Sequence, residues 1–315
     1  MGSSGTEVST SQLPLRPADA EVRLGVDGLG SRHLLISVGE GDEPKADNSD
    51  GAVAVRIRTY TFGGTPRRFI DVVCSRRDLF DLFDDVLVDV LGTLASDEIS
   101  APAEAAVHVV QRWRALFATR PQRLLTTTGQ MSLVGELHVL GVAHTAALID
   151  VMAWRGPYRE PHDIVLPHCA LEVKAVGATS SSVEVHGVDQ LDPPSIPLAL
   201  VLVRITEAKD GERLPDVVDR TLAVVSDRAE ALKRLAAAGY SPADAEQYEQ
   251  RFAIHGVDFV IVDDSVPRIV PSSFASGVCP VGVEGVTYQV MLDALDHLLV
   301  RGETLLRGWI AEVAA

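Results

Sequence analysis

The chain has 315 residues, 46% of them hydrophobic, and 28 Lys and Arg stand against 44 Asp and Glu for a formal net charge of −16. Such apolar content builds one or two globular cores, while the acidity excludes a surface that attracts nucleic acid indiscriminately, because phosphate affinity depends on clustered Lys and Arg. Cys74, Cys169 and Cys279 form no CxxC pair, which argues against a disulfide framework or a cysteine-based zinc site; with no long apolar run and no secretory leader, a cytoplasmic protein without membrane contact is expected.

Residues 1–15 are Ser/Thr-rich and predict a disordered tail. A small β-rich N-terminal domain with a helix is expected over 16–98. In it "EVRLGVDG", "RHLLISVG", "AVAVRIRTYTF" and "RRFIDVVC" alternate apolar and polar residues between Gly- and Asp-bearing turns, the pattern of an antiparallel sheet. "EGDEPKADNSDG" reads as a solvated loop. From Arg76 the period changes: Leu79, Phe83, Val86 and Val90 share one helical face. A second helix is predicted after Ser100 as N-cap, with Pro102 in its first turn and Val109, Trp113, Leu116 and Phe117 on one side. It opens the second expected domain, 99–315.

A third helix near Gln130–Val142 turns Leu133, Leu137 and Leu140 to a core, with Glu136 beside that stripe. Strands "DIVL", "ALEVKAV" and "SVEVHGV" follow, and the apolar "LALVLVRIT" reads as a buried central strand. Asp227 and Glu230 form a capping box for a helix that Gly239 ends. "DFVIVDD" and "VTYQVML" predict further strands, and "ALDHLLVRGETLLRGWIAEVAA" an amphipathic helix that could mediate a homodimer.

The chemistry is concentrated in "DIVLPHCALEVK", a hairpin with Pro167, His168 and Cys169 at its tip. Glu172 and Lys174, two apart, project from one face of their strand, and Asp163 lies at the open end of the other arm. Asp163 and Glu172 can share a hard cation, Mg²⁺ or Mn²⁺, with the Val173 carbonyl as a third oxygen. Lys174 can then orient or deprotonate an attacking water. The same residues also suit a solvated strand face with cross-strand ion pairs. Three neighbours favour the chemical alternative: Glu136 beside an apolar stripe, Trp154 and Arg155 in the "WRGP" loop, and Gln190 on a turn or short helix beyond the next strand.

The order GEL, WRGP, HD, LEVK, DQL resembles an uncharacterised bacterial family of PD-(D/E)xK motif proteins, found in phage-defence gene clusters and distantly similar to restriction-endonuclease-like nucleases. The likeness extends over most of the chain, including "AAAGYSPADAEQYEQRF" and "VPRIVPSSF". It implies an α/β fold, a restriction-endonuclease-like core with a central mixed sheet flanked by helices. It also implies a metal-dependent DNA endonuclease of phage defence, acting with other proteins of its gene cluster. By the resemblance, Asp163, Glu172 and Lys174 are the metal-binding and catalytic triad, Glu136 the helix carboxylate and Gln190 the glutamine of the following helix. His162 separates Pro161 from Asp163, so the literal Pro-Asp pair is absent.

His162, adjacent to Asp163, is the histidine expected to touch substrate. His138, His144, His168 and His186 form no compact zinc motif. Arg120 with Arg123, and Arg155 with Arg159, could hold phosphates if they flank the hairpin. Two other functions fit the sequence: a catalytically silent DNA-binding or assembly subunit, which the acidity favours, and a nuclease for RNA or a nucleotide.

Overall fold

The computed structural model describes residues 7–42, 44–45, 53–96, 99–118, 124–283 and 285–314. The chain divides into two compact units, 1–119 and 120–315.

The first unit is built on an antiparallel sheet of β1 (Val8–Gln12), β2 (Val22–Asp27), β3 (Arg32–Ser37), β4 (Val53–Phe62) and β5 (Thr65–Cys74), ordered β1-β2-β3-β5-β4. The strand at 8–12 lies inside the segment expected to be disordered. Its Ser/Thr-rich side chains carry little strand signal, and the strand exists through register with β2, Val8 opposite Asp27 and Gln12 opposite Arg23; residues 1–6 lie outside the described residues. Helix α1 (Phe80–Leu94) buries Phe83, Val86 and Val90 of the stripe its periodicity predicts, and Leu94 besides.

Helix α2 (Pro102–Ala118) packs against α1 and β3, so it belongs to the first unit and the boundary falls near 119 rather than 98. Trp113 Nε1 donates to Asp89 of α1 at 2.9 Å, a tie across twenty-four residues that periodicity alone does not reveal. The N-terminus of α2 is capped from a distance. Asp42, buried in the loop expected to be solvated, accepts from the N–H groups of Ala103 and Glu104 at 2.8 and 3.1 Å. The side chains of Leu116 and Phe117 are outside the described residues.

The second unit is a mixed sheet flanked by helices. Its strands are β6 (Ile164–Val165), β7 (Ala170–Val176), β9 (Leu198–Arg213), β10 (Arg251–Ile261) and β12 (Val300–Arg301), ordered β12-β10-β9-β7-β6. The apolar run at Leu198–Val203 is fully buried at the centre of this sheet, as a strand covered on both faces must be. It pairs parallel with β7, Ala170 opposite Leu198 and Val176 opposite Arg204.

Helix α3 (Thr127–Ala147) covers one face. A Cβ on its Gly135 would meet Ile205, Val203 and Ala175 at 3.5–3.8 Å, so the helix backbone lies against the sheet. On the other face, β8 (Ser182–His186) and β11 (Thr287–Met291) pair as a separate two-stranded sheet. Their Val183, Val185 and Val290 form one core with Ala170, Val176, Leu198, Leu200 and Leu202.

Helices α4 (Leu214–Leu222) and α5 (Arg228–Ala237) follow β9. Asp227 caps α5 by accepting from Glu230 N at 2.8 Å. The C-terminal segment is not one helix: a short α6 (Leu292–Leu295), β12 and α7 (Glu303–Ala314) succeed one another. Gly302, at φ +116°, takes a backbone conformation that L side chains rarely adopt, and there the chain turns from strand into helix. Among the described residues no helix is long and apolar enough to cross a membrane.

Candidate active site

The site forms where β6 meets β7 at the edge of the mixed sheet. Val173 N donates to Asp163 Oδ2 at 2.8 Å. A strand residue directs its N–H and C=O to the same edge, so the Val173 carbonyl also faces the Asp163 side. The main chain of Asp163 is held in turn: its carbonyl accepts from Arg155 N at 2.7 Å and Gly156 N at 3.0 Å. Trp154 forms a β-bridge with Ile164, so the "WRGP" loop extends the sheet by one rung beyond β6.

Glu136 arrives from α3. Its Oε2 accepts from Trp154 Nε1 at 2.9 Å, and it lies close to Asp163. A Cβ placed on Gly156 would stand 2.6 Å from Asp163 Oδ1 and 2.9 Å from Glu136 Oε2. Only glycine leaves room for two carboxylates so near the backbone.

Glu172 is 1% exposed and Lys174 14%. Lys174 Nζ, the charge partner of that buried carboxylate, lies 2.8 Å from Glu172 Oε1. Lys174 also donates to Gln190 Oε1 at 2.8 Å, which in addition accepts from His186 N at 2.8 Å. Gln190 sits in a turn after β8, with no helix there.

The electrostatics are those of crowded anions. Burial first, and then the Asp163 carboxylate, push the Glu136 carboxyl up to about 8, against the pull of the Trp154 indole and Lys174. Burial raises Asp163 as well, opposed by the Val173 N–H and by Lys174. Glu172 is driven well above the usual carboxylate range by burial and by Asp163, against Lys174. The three carboxyl groups are all shifted upward because burial, and for Glu136 and Glu172 a neighbouring carboxylate, outweigh the one ammonium that faces them.

The donor set of Asp163, Glu172 and Glu136 is oxygen only, which suits a hard divalent cation. Among the described residues no three His, Cys, Asp or Glu side chains already converge as a metal cage.

Other expected residues stand differently. His162 is buried beside the Gln190 backbone, its Nδ1 without a hydrogen-bond partner, and burial lowers its pKa. Arg155 Nη1 pairs with Glu160 at 3.1 Å. Arg159 is exposed on a left-handed backbone, φ 58°. Arg120 and Arg123 lie outside the described residues. His138 pairs with Glu303, His144 with the Ile149 carbonyl and His186 with Glu184, each apart from the others. The sequence singles out Trp154 through its WRGP loop; two further contributors escape it, Gly156 between the carboxylates and Arg234, buried against the Trp154 carbonyl. The closeness of Gly156 to the HD pair is the one signal that points to it.

A mixed sheet flanked by helices, with an Asp on one hairpin arm and Glu-x-Lys on the other, defines the restriction-endonuclease-like class. Residues 3–293 match the family model described as "Putative PD-(D/E)XK family member, (DUF4420)". The chain belongs to that family. No curated protein and no solved structure gave a significant match.

Proposed function

We propose that the chain hydrolyses phosphodiester bonds in DNA with Mg²⁺ or Mn²⁺, as an endonuclease of bacterial phage defence. The observation that carries this reading is the Glu172 carboxylate, buried against Lys174 and beside Asp163 and Glu136. Membership of a family described as PD-(D/E)XK supports the reaction class; the sequence resemblance supports the place in defence.

Asp163 and Glu172 would hold the cation, with Glu136 and the Val173 carbonyl completing the oxygen donors. A bound divalent ion supplies Lewis-acid polarisation of the phosphoryl oxygen. Lys174, fixed between Glu172 and Gln190, positions the attacking water and offsets charge developing on phosphorus. Gln190 spends its carbonyl oxygen on Lys174 and His186 N, and so sets the direction of the ammonium. The guanidinium groups of Arg155 and Arg159 are assigned to the nucleic-acid backbone; His162, expected to touch substrate, is buried and is given no such contact.

The test is a substrate panel of plasmid DNA, single-stranded DNA and RNA, each with Mg²⁺, Mn²⁺ or chelator. Metal-dependent loss of plasmid supercoiling is expected; cleavage of RNA alone would replace DNA as the substrate. The net charge of −16 favours one second reading, a non-cleaving assembly subunit of a defence complex. That reading predicts complex formation and defence that survive Glu172→Gln.

A further inference from the structure

Behind the carboxylates lies a side chain that the proposed chemistry does not use. Arg234, on α5, is 4% exposed. Its Nη1 donates to the Trp154 carbonyl, its Nη2 meets Met152 Sδ at 3.1 Å, and its guanidinium stands 5.0 Å from the centroid of the Tyr158 ring. Nε donates to Glu230 Oε1 at 3.1 Å, and Glu230 is itself placed by the α5 cap. All its partners but Glu230 therefore belong to one segment, Met152–Tyr158.

That same segment handles the carboxylates. Trp154 gives its indole N–H to Glu136, Arg155 and Gly156 give their backbone N–H groups to the Asp163 carbonyl, and Gly156 lies against both carboxylate oxygens. A buried guanidinium is a costly way to fill space; an aliphatic side chain would stabilise the fold as well. What the planar fork adds is direction, because its donors leave at fixed angles and each selects one acceptor position.

We infer that Arg234 is a positioning residue for the carboxylate cluster. It fixes the Met152–Tyr158 segment and, through the Trp154 indole and the Gly156 backbone, sets Glu136 and Asp163 relative to Glu172. The inference rests on the reading of these carboxylates as a metal-dependent site. A displacement of about 1 Å there is enough to lower turnover by about a hundredfold.

The experiment compares Arg234→Lys, which keeps the charge but loses the planar fork and its fixed donor directions, with Arg234→Gly, whose hole free guanidinium can enter. Lys233→Ala, which removes only the outer partner of Glu230, is the control. Three quantities are read: the ¹⁵N–¹H indole resonance of Trp154, assigned with Trp154→Phe; the rise in Tm on adding Mg²⁺; and kcat against KM on DNA. In Arg234→Lys the indole resonance should move, the Mg²⁺-induced rise should fall by more than half, and kcat should drop with KM nearly constant. Guanidinium at non-denaturing concentration should restore part of kcat to Arg234→Gly and none to the unmodified protein.

An Arg234→Lys protein with a lower Tm but an unmoved indole resonance, an intact Mg²⁺ response and unchanged kcat overturns the positioning role and leaves a structural pin. Glu172→Gln, run in parallel, separates the two claims. A Mg²⁺ response that Glu172→Gln abolishes and Arg234→Lys leaves untouched defeats the Arg234 inference alone. No Mg²⁺ response in the unmodified protein defeats the reading of the site, and the inference falls with it.

Discussion

Glu172 is almost wholly buried and meets Lys174 Nζ at 2.8 Å; burying such a charge costs several kcal/mol unless it is neutralised. One ammonium does not neutralise Glu172, Asp163 and Glu136 together, which leaves a place for a cation. Gly156 gives a second, sharper test at this scale. In Gly156→Ala the new methyl group would stand within 3 Å of both Asp163 Oδ1 and Glu136 Oε2, so the carboxylates must move apart. The variant should lose most of its Mg²⁺-induced rise in Tm while its metal-free fold loses only about 1–3 kcal/mol. Calorimetry with and without Mg²⁺ checks this, and an unchanged response would show that the two carboxylates do not act together.

At the scale of elements, α3 and the hairpin bring three carboxyl groups together, and stability depends on pH accordingly. Glu136 is raised from an ordinary value of 4.5 to about 8. The folded state therefore binds a proton that the unfolded chain has already lost, so the stabilisation is fully present below about 4.5 and disappears as pH climbs through about 8. Without metal, Tm should fall over that window; the rise caused by Mg²⁺ should be larger at pH 8 than at pH 6, because binding must displace the held protons. A Mg²⁺ effect that is constant with pH would contradict the carboxylate cluster. In the first unit, Asp42→Ala removes the cap of α2 and should cost about 1–2 kcal/mol in urea unfolding. A change near zero would mean that water replaces the cap.

The elements also show what a sequence can carry. Alternation exposes the hairpin, and a two-residue spacing places Glu172 and Lys174 on one face, because strand geometry is local. A Leu stripe on α3 marks Glu136 as a carboxyl group at the border of a core. The remainder is long-range. Nothing near Arg234 in the sequence announces a partner eighty residues earlier, nor does Ser100 reveal that Asp42 will supply the cap of α2. The strand at Val8–Gln12 owes its form to backbone pairing with β2, which composition does not encode. The C-terminal helical pattern conceals a break because a periodicity of apolar residues continues across Gly302.

For the whole molecule, the net charge of −16 constrains how the proposed DNA substrate would be held. An acidic surface repels phosphate at long range, so binding must come from local cations, and a divalent ion among Asp163, Glu172 and Glu136 would turn the most negative point of the site into an attractive one. All the candidate site residues, from Glu136 to Gln190, lie in the second unit together with Arg234. The most direct test of the central claim is cleavage of supercoiled plasmid by the unmodified protein, by Glu172→Gln and by Lys174→Met, in Mg²⁺ and in Mn²⁺, with each variant shown to be folded. The account predicts metal-dependent nicking or linearisation, reduced about a hundredfold or more in both variants. Cleavage that persists undiminished in Glu172→Gln and Lys174→Met would contradict it, because the bond would then be broken elsewhere than at this hairpin.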